Sequence, residues 1–168
     1  MDPHLKMLQE DLAAVIAGLT AEQLHKHPPG KWCAAEVLEH LYLTYTGTTK
    51  GFSRVLESQK ATTTPATWIQ RRNLLVVLGF GYLPSGREAP SFSRPRGLPK
   101  EKVVAEIMEK ISEMDEMITS CEKKLGGGKL LDHPILGPLT GAQWRKFHLV
   151  HGRHHMKQIQ RLQEGRLI

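Results

Sequence analysis

The sequence predicts an all-α fold, a four-helix bundle forming one domain over residues 1–168. Three observations predict it. Apolar residues recur at three- and four-residue steps along four long stretches. No segment of useful length alternates apolar and polar residues as a strand does. There is no internal repeat, so the four apolar faces have to be buried against one another. With 168 residues, 40% hydrophobic and 24% charged, the chain is large and apolar enough for a proper core.

The elements follow in order. Leu5, Leu8, Leu12, Ile16 and Leu19 share one face, so residues 4–18 read as an amphipathic helix. Thr20 and Gln23 form a capping box that opens a short turn, and Pro28-Pro29-Gly30 breaks the chain. A second long helix runs from Cys33 to about Ser58, with Leu38, Leu41, Tyr45, Phe52 and Val55 as its stripe. After TTTPAT (62–67), residues Trp68 to Leu78 read as a shorter helix. Residues 79–100 are dense in Gly, Pro, Ser and Arg, which predicts a long irregular crossover loop. Lys100 to Leu125 is the third long helix, carrying Val104, Ile107, Ile111, Met114, Ile118 and Leu125 on one face. Gly126-Gly127-Gly128 stops it. Thr140 and Gln143 form a second capping box, which starts a last helix reaching about Gln163.

Composition excludes several function classes. The net charge is +6, but the basic residues are scattered in small groups such as Arg71-Arg72 and Lys123-Lys124. No aromatic residues interleave with them, so a solvated basic surface is expected rather than a nucleic-acid site. No apolar run is long enough to cross a bilayer, and the N-terminus lacks a secretory pattern, so a cytoplasmic protein is expected. Cys33 and Cys121 lie far apart in helical contexts and read as buried thiols, not as a disulfide.

The stretch FHLVHGRHHMKQI (147–159) holds His148, His151, His154 and His155. The core stripe of the last helix runs Trp144, His148, His151, His155, Gln158, Leu162. A bundle helix carries leucine or valine at such positions, so buried imidazoles there need partners. His151 and His155 have the i, i+4 spacing by which one helix gives two ligands to one metal. The following residue is Gly152, so the general-base glutamate of a His-Glu-x-x-His zinc protease is missing. A third ligand has to come from another helix, and His40 in the second helix offers one. Val37, Thr44, Gly47 and Gly51 continue the His40 strip, and small residues there would leave room for a ligand or water. Periodicity alone leaves open the reading of His40 as a hydrogen-bonded residue at the core's edge.

Three blocks in order, W-C-A-A-E-V-L-E-H-L (32–41), H-P-I-L-G-P-L-T (133–140) and W-R-K-F-H-L-V-H-G-R-H-H-M-K-Q-I (144–159), resemble the DinB/YfiT-like family over nearly the whole chain. The resemblance implies a four-helix bundle with an unusual crossover topology and a divalent metal, usually zinc or nickel. Carried over by motif, the ligands are His40, His151 and His155. Members of the family include metal-dependent hydrolases and transferases of low-molecular-weight thiols, many others have no known activity, and membership alone does not fix the reaction. Around these ligands, His148 is expected to support the site or pack in the core rather than ligate. Gln158 and Glu36, each one turn from a ligand, are candidates to hydrogen-bond it.

Two functions stay open at this point. One is a metal-dependent enzyme acting on a small molecule, by hydrolysis or thiol transfer, through an open coordination position. The other is a metal-binding bundle without activity, a dimerisation or stress-related module; bundles of this kind often form homodimers. The sequence identifies no general acid or base, although Glu36, Tyr42 and Tyr45 lie near His40. The long loop, with Arg87, Arg94 and Arg96, reads equally as a cover for an anionic substrate or as a merely solvated connection.

Overall fold

A computed structural model of the chain describes residues 1–84 and 88–165. The order of elements is α1 (Pro3–Ala17), α2 (Ala21–His25), α3 (Ala34–Ser58), α4 (Trp68–Leu74), α5 (Lys100–Leu125), strands β1 (Lys129–His133) and β2 (Gly137–Thr140), and α6 (Gly141–Gln163). The fold is mostly helical with one small sheet. Among the described residues no helix is long and apolar enough to cross a membrane.

The helix ends follow local chemistry. Asp2 caps α1 by accepting from the His4 amide at 2.8 Å, with Pro3 at the first position. Thr20, Thr67 and Thr140 open α2, α4 and α6, each in a reciprocal capping box with the residue three positions on. α5 stops at Gly126, whose φ of 85° favours glycine. Lys123 and Lys124 in its last turn complement the dipole.

α3 packs along α5 and α1 along α6, and the two pairs meet through contacts of α3 with α6 and of α1 with α5. The periodic residues are the ones that face inward. Leu5, Leu8 and Leu12 of α1, Leu38, Leu41, Tyr45, Phe52 and Val55 of α3, and Ile107, Ile111, Met114 and Ile118 of α5 are all buried. Burial of each such side chain stabilises by roughly 1.5–3 kcal/mol, enough to hold amphipathic helices that are marginal alone. Across α5 and α6 runs a buried charge cluster: Arg145 donates to Asp115 at 2.6 Å, Glu122 at 2.7 Å and Thr119 at 2.8 Å.

A small hairpin that the sequence did not predict accompanies the helices. β1 and β2 pair antiparallel, with Leu131 opposite Leu139 and His133 opposite Gly137. Thr62 adds backbone bonds to Leu130 and Asp132 at the sheet edge. Strands of five and four residues are too short for alternation to register, and β1 buries only Leu130 and His133. The turn between them closes at Gly137, with φ of 73°.

The shorter helix also differs in detail. After Leu74 the chain widens into one π-helical turn, Leu75–Gly79, whose Val77 and Leu78 are buried. Such turns cluster at functional sites, and this one forms part of a cavity wall. Within the long loop one short 3-10 turn, Ser91–Ser93, docks against α3. Arg87 lies outside the described residues.

Candidate metal centre

α3 brings His40, and α6 brings His151 and His155, to one point. The Nε2 atoms of His40 and His151 are 3.3 Å apart, and those of His155 and His151 are 3.1 Å apart. All three residues are buried, and each offers a ring nitrogen within 4.8 Å of the others. Three nitrogens each 2.0–2.1 Å from a tetrahedral cation lie about 3.3 Å from one another. The spacing therefore fits one zinc-sized ion.

The outer nitrogens settle the tautomers. His40 Nδ1 lies 2.8 Å from the Ser93 carbonyl oxygen, which can only accept, so the Nδ1 proton is donated there. His155 Nδ1 donates in the same way to Gln158 Oε1 at 2.8 Å. Each ring, when neutral, then has its lone pair on Nε2, pointing at the shared centre. His151 Nε2 can offer a proton to only one of them. Without a cation at least one pair of nitrogens faces lone pair to lone pair, whereas a cation satisfies all three. That arrangement suits a metal-ligand set, with second partners holding the His40 and His155 rings, while His151 Nδ1 is buried without a hydrogen-bond partner among the described residues.

Burial keeps the rings neutral. It pushes the His155 pKa down to about 3 and that of His151 well below the usual value, with neighbouring imidazoles adding to the effect. His40 is lowered by burial and partly restored by its bond to Ser93. Phe147 stacks on His151 at 5.3 Å between ring centres, and Trp32 covers His40 at 5.4 Å.

The three rings form part of the wall of a cavity of about 720 Å³. α3, the π-helical turn, the β1–β2 turn, the long loop and α6 all contribute to it. Val37, Val77, Leu136, Trp144 and Phe147 give it a mainly apolar lining.

A family model described as a protein of unknown function, DUF1569, matches residues 2–162. The chain belongs to this family. No curated protein and no solved structure matches it.

The DUF1569 chain gathers His40, His151, His155 and Gln158 and leaves other expected residues elsewhere. Glu36 does not approach His40. Its Oε2 accepts from the Cys33 amide at 2.8 Å and lies 3.5 Å from His27 Nδ1, closing a capping box at the start of α3. The signal was in the sequence, a glutamate three residues after the last non-helical residue. His27, Cys33 and Glu36 offer ligand atoms at metal-like spacing too, but the carboxylate is committed to the helix end.

His148 is fully buried one turn before His151, stacked on Trp144 at 5.7 Å and edge-on to Tyr45 at 5.5 Å. Neither of its nitrogens has a hydrogen-bond partner among the described residues. It packs in the core rather than turning toward a ligand's outer nitrogen. Gly47 and Gly51 do not leave room for a ligand. A Cβ on Gly47 would meet the Phe92 ring at 3.5 Å, and one on Gly51 would meet Leu131 at 2.8 Å. Protein side chains use that space.

Tyr42 donates to Glu106 at 2.8 Å and Tyr45 is buried in the core, so neither lines the cavity. Arg94 and Arg96 of the long loop do not line it either. Arg94 binds Glu88 and the Ala89 carbonyl, and Arg96 donates to the Phe92 carbonyl. Two participants were missed in the sequence. Ser93 acts through its backbone oxygen, which carries no side-chain signal. His133 lines the cavity, and its environment is fixed by a turn that only the fold supplies.

Proposed function

We propose that this protein is a divalent-metal-dependent enzyme of the DinB/YfiT type, its long helices forming a four-helix bundle of that topology. His40, His151 and His155 hold the cation, zinc or nickel, and the substrate is a small molecule bound in the adjoining cavity. The observation that carries this reading is the convergence of three Nε2 atoms on the wall of an open, mainly apolar cavity. A structural metal is enclosed by its four ligands, whereas three ligands beside a cavity leave a position for substrate.

When bound, the metal supplies Lewis acidity and lowers the pKa of a water or thiol that enters its open position. The protein's own groups do the rest. Ser93 and Gln158 fix the proton on the outer nitrogen of His40 and His155, and Gln158 in turn donates to His154 at 3.2 Å. Phe147, Trp32 and the valines of the π-helical segment exclude bulk water from the rings. Hydrolysis and low-molecular-weight thiol transfer both fit such a site.

The test measures metal before turnover. Protein purified without chelator and dialysed against zinc or nickel is expected to retain about one ion per chain by elemental analysis. His155→Ala and His40→Ala are expected to lose it. Ester, amide, epoxide and aryl-halide substrates, the last two with several thiols, then report the reaction. Full metal retention in both variants refutes the ligand set. A loaded wild type that turns over none of the substrates, yet melts far below its usual temperature once chelated, favours the module without activity.

A further inference from the structure

The cavity's polar groups suggest what it selects. Among its described lining residues only Lys31 and Glu88 carry a formal charge; both are exposed at the rim, and Glu88 is paired with Arg94 at 2.7 Å. An anion lodged deeper, away from the metal, has no counter-charge among these described residues, and an unpaired buried charge is strongly disfavoured. Most neutral polar groups are already engaged. The Thr44 hydroxyl donates to the His40 carbonyl at 2.8 Å, Asn73 to the Ile135 carbonyl at 3.3 Å, and Gln158 serves two histidines.

Trp32 Nε1 and the Thr48 hydroxyl at the wall lack a hydrogen-bond partner among the described residues, but only His133 has its free donor fixed by bonds to the same ring. Its Nδ1 accepts from two backbone amides of the β1–β2 turn, Ile135 at 3.1 Å and Leu136 at 3.2 Å. The ring is held neutral by burial, its pKa pushed down to about 4. A neutral imidazole with an accepting Nδ1 carries its proton on Nε2. Among the described residues that Nε2 has no hydrogen-bond partner. The ring packs on Phe147 at 4.4 Å, and Phe147 stacks on His151, so the donor stands one aromatic ring away from the candidate ligands.

We propose that the cavity takes a molecule whose body, apart from the group that meets the cation, is uncharged and apolar with one hydrogen-bond acceptor, and that His133 Nε2–H orients it. This rests on the proposed function only in taking the cavity beside the three histidines as the substrate's place. It departs from the expectation of an anionic substrate under Arg94 and Arg96, which are engaged within the loop, and Arg87 lies outside the described residues. His133 is a binding residue here, rigid because two amides hold its other nitrogen. An acceptor placed opposite it gains a bond, and an apolar isostere leaves a polar group unpaired.

The experiment reads binding. The neutral fluorophore N-phenyl-1-naphthylamine is bound to the full chain, first with metal removed by chelation and then after zinc loading. Acetophenone, ethylbenzene and benzoate compete for it. Acetophenone is expected to displace the dye at about tenfold lower concentration than ethylbenzene, the scale of one net hydrogen bond. Benzoate is expected not to displace it from the chelated protein. His133→Asn places an acceptor near the Nδ1 position but has no donor at the Nε2 position. It is expected to abolish the acetophenone preference while dye affinity holds. His133→Gln, with a donor near the Nε2 position, is expected to keep part of the preference. Thr48→Val removes a second hydroxyl at the wall and is expected to change nothing.

A preference that survives His133→Asn, or that disappears with Thr48→Val, overturns the assignment. So does benzoate binding to the chelated protein as well as acetophenone. Should His133→Asn fail to fold, the Gln and Val variants still decide. A chain that takes up no metal but prefers acetophenone refutes the metal reading and keeps this one. A chain that loads zinc and shows no preference does the reverse.

Discussion

Replacing Gln158 by leucine tests whether the outer hydrogen bonds govern the metal site. Gln158 Oε1 accepts the His155 Nδ1 proton at 2.8 Å. Leucine removes that acceptor while keeping similar bulk. The proton is then free to sit on Nε2, where it blocks the lone pair aimed at the centre. Loss of such supporting partners weakens metal binding 10- to 100-fold. A neutral hydrogen bond contributes about 0.5–1.5 kcal/mol, roughly a factor of 2 to 13. Gln158 is only partly buried, so water can replace part of what is lost. The two ranges overlap near tenfold, and about tenfold weaker zinc binding is the expectation. Gln158→Glu, which supplies a stronger acceptor to the same nitrogen, is expected to match or exceed wild type. Competition against a chromophoric zinc chelator at pH 7.5 measures both. The reasoning fails if Gln158→Leu binds zinc like wild type, or if its metal-free form melts so much lower that misfolding explains the loss.

Two further outcomes follow from burial. His133 and His148 have folded pKa values pushed down to about 4 and about 3 by desolvation, against about 6.5 when unfolded. Below pH 6.5 the unfolded chain therefore binds more protons, so the metal-free protein loses stability as pH falls toward 4, by on the order of 3 kcal/mol for His133 alone. Urea midpoints at pH 7 and 4.5 check this, and equal midpoints refute it. Gly152→Ala should lower stability even though alanine favours a helix by about 1 kcal/mol. A Cβ there would stand 2.3 Å from Cδ1 of the fully buried Leu8, and such overpacking costs roughly 1–3 kcal/mol. Calorimetry should show a Tm lowered by about 2–4 °C; a rise shows that α1 yields without strain.

That glycine also explains an absence noted in the sequence. The position after His151 holds no catalytic glutamate because α1 presses against α6 there, and Leu8 and the Tyr45 hydroxyl fill the space. The four long helices were legible because each buries a stripe that repeats with the helical period. The clustered histidines of α6 were legible because they interrupt such a stripe. The hairpin was not, since five and four residues with an irregular register leave no period to detect. The spacing of Glu36 from Cys33 carried the capping-box signal, but Cys33 is an uncommon helix-capping residue, so the box was easy to overlook. His133 could not be ranked from sequence. Its role depends on which ring nitrogen the turn amides claim.

Glu39 and His40 are neighbours on α3, and both hold the same length of the long loop. The buried Glu39 carboxylate accepts from the Arg96 amide at 2.7 Å and the Gly97 amide at 3.2 Å, while His40 donates to the Ser93 carbonyl. Lifting that segment would leave a desolvated carboxylate without its amides and release the imidazole's proton anchor in the same movement. The seating of the loop and the aim of the His40 ring thus share one fastening, and a change that loosens it from outside is felt at the centre without touching it.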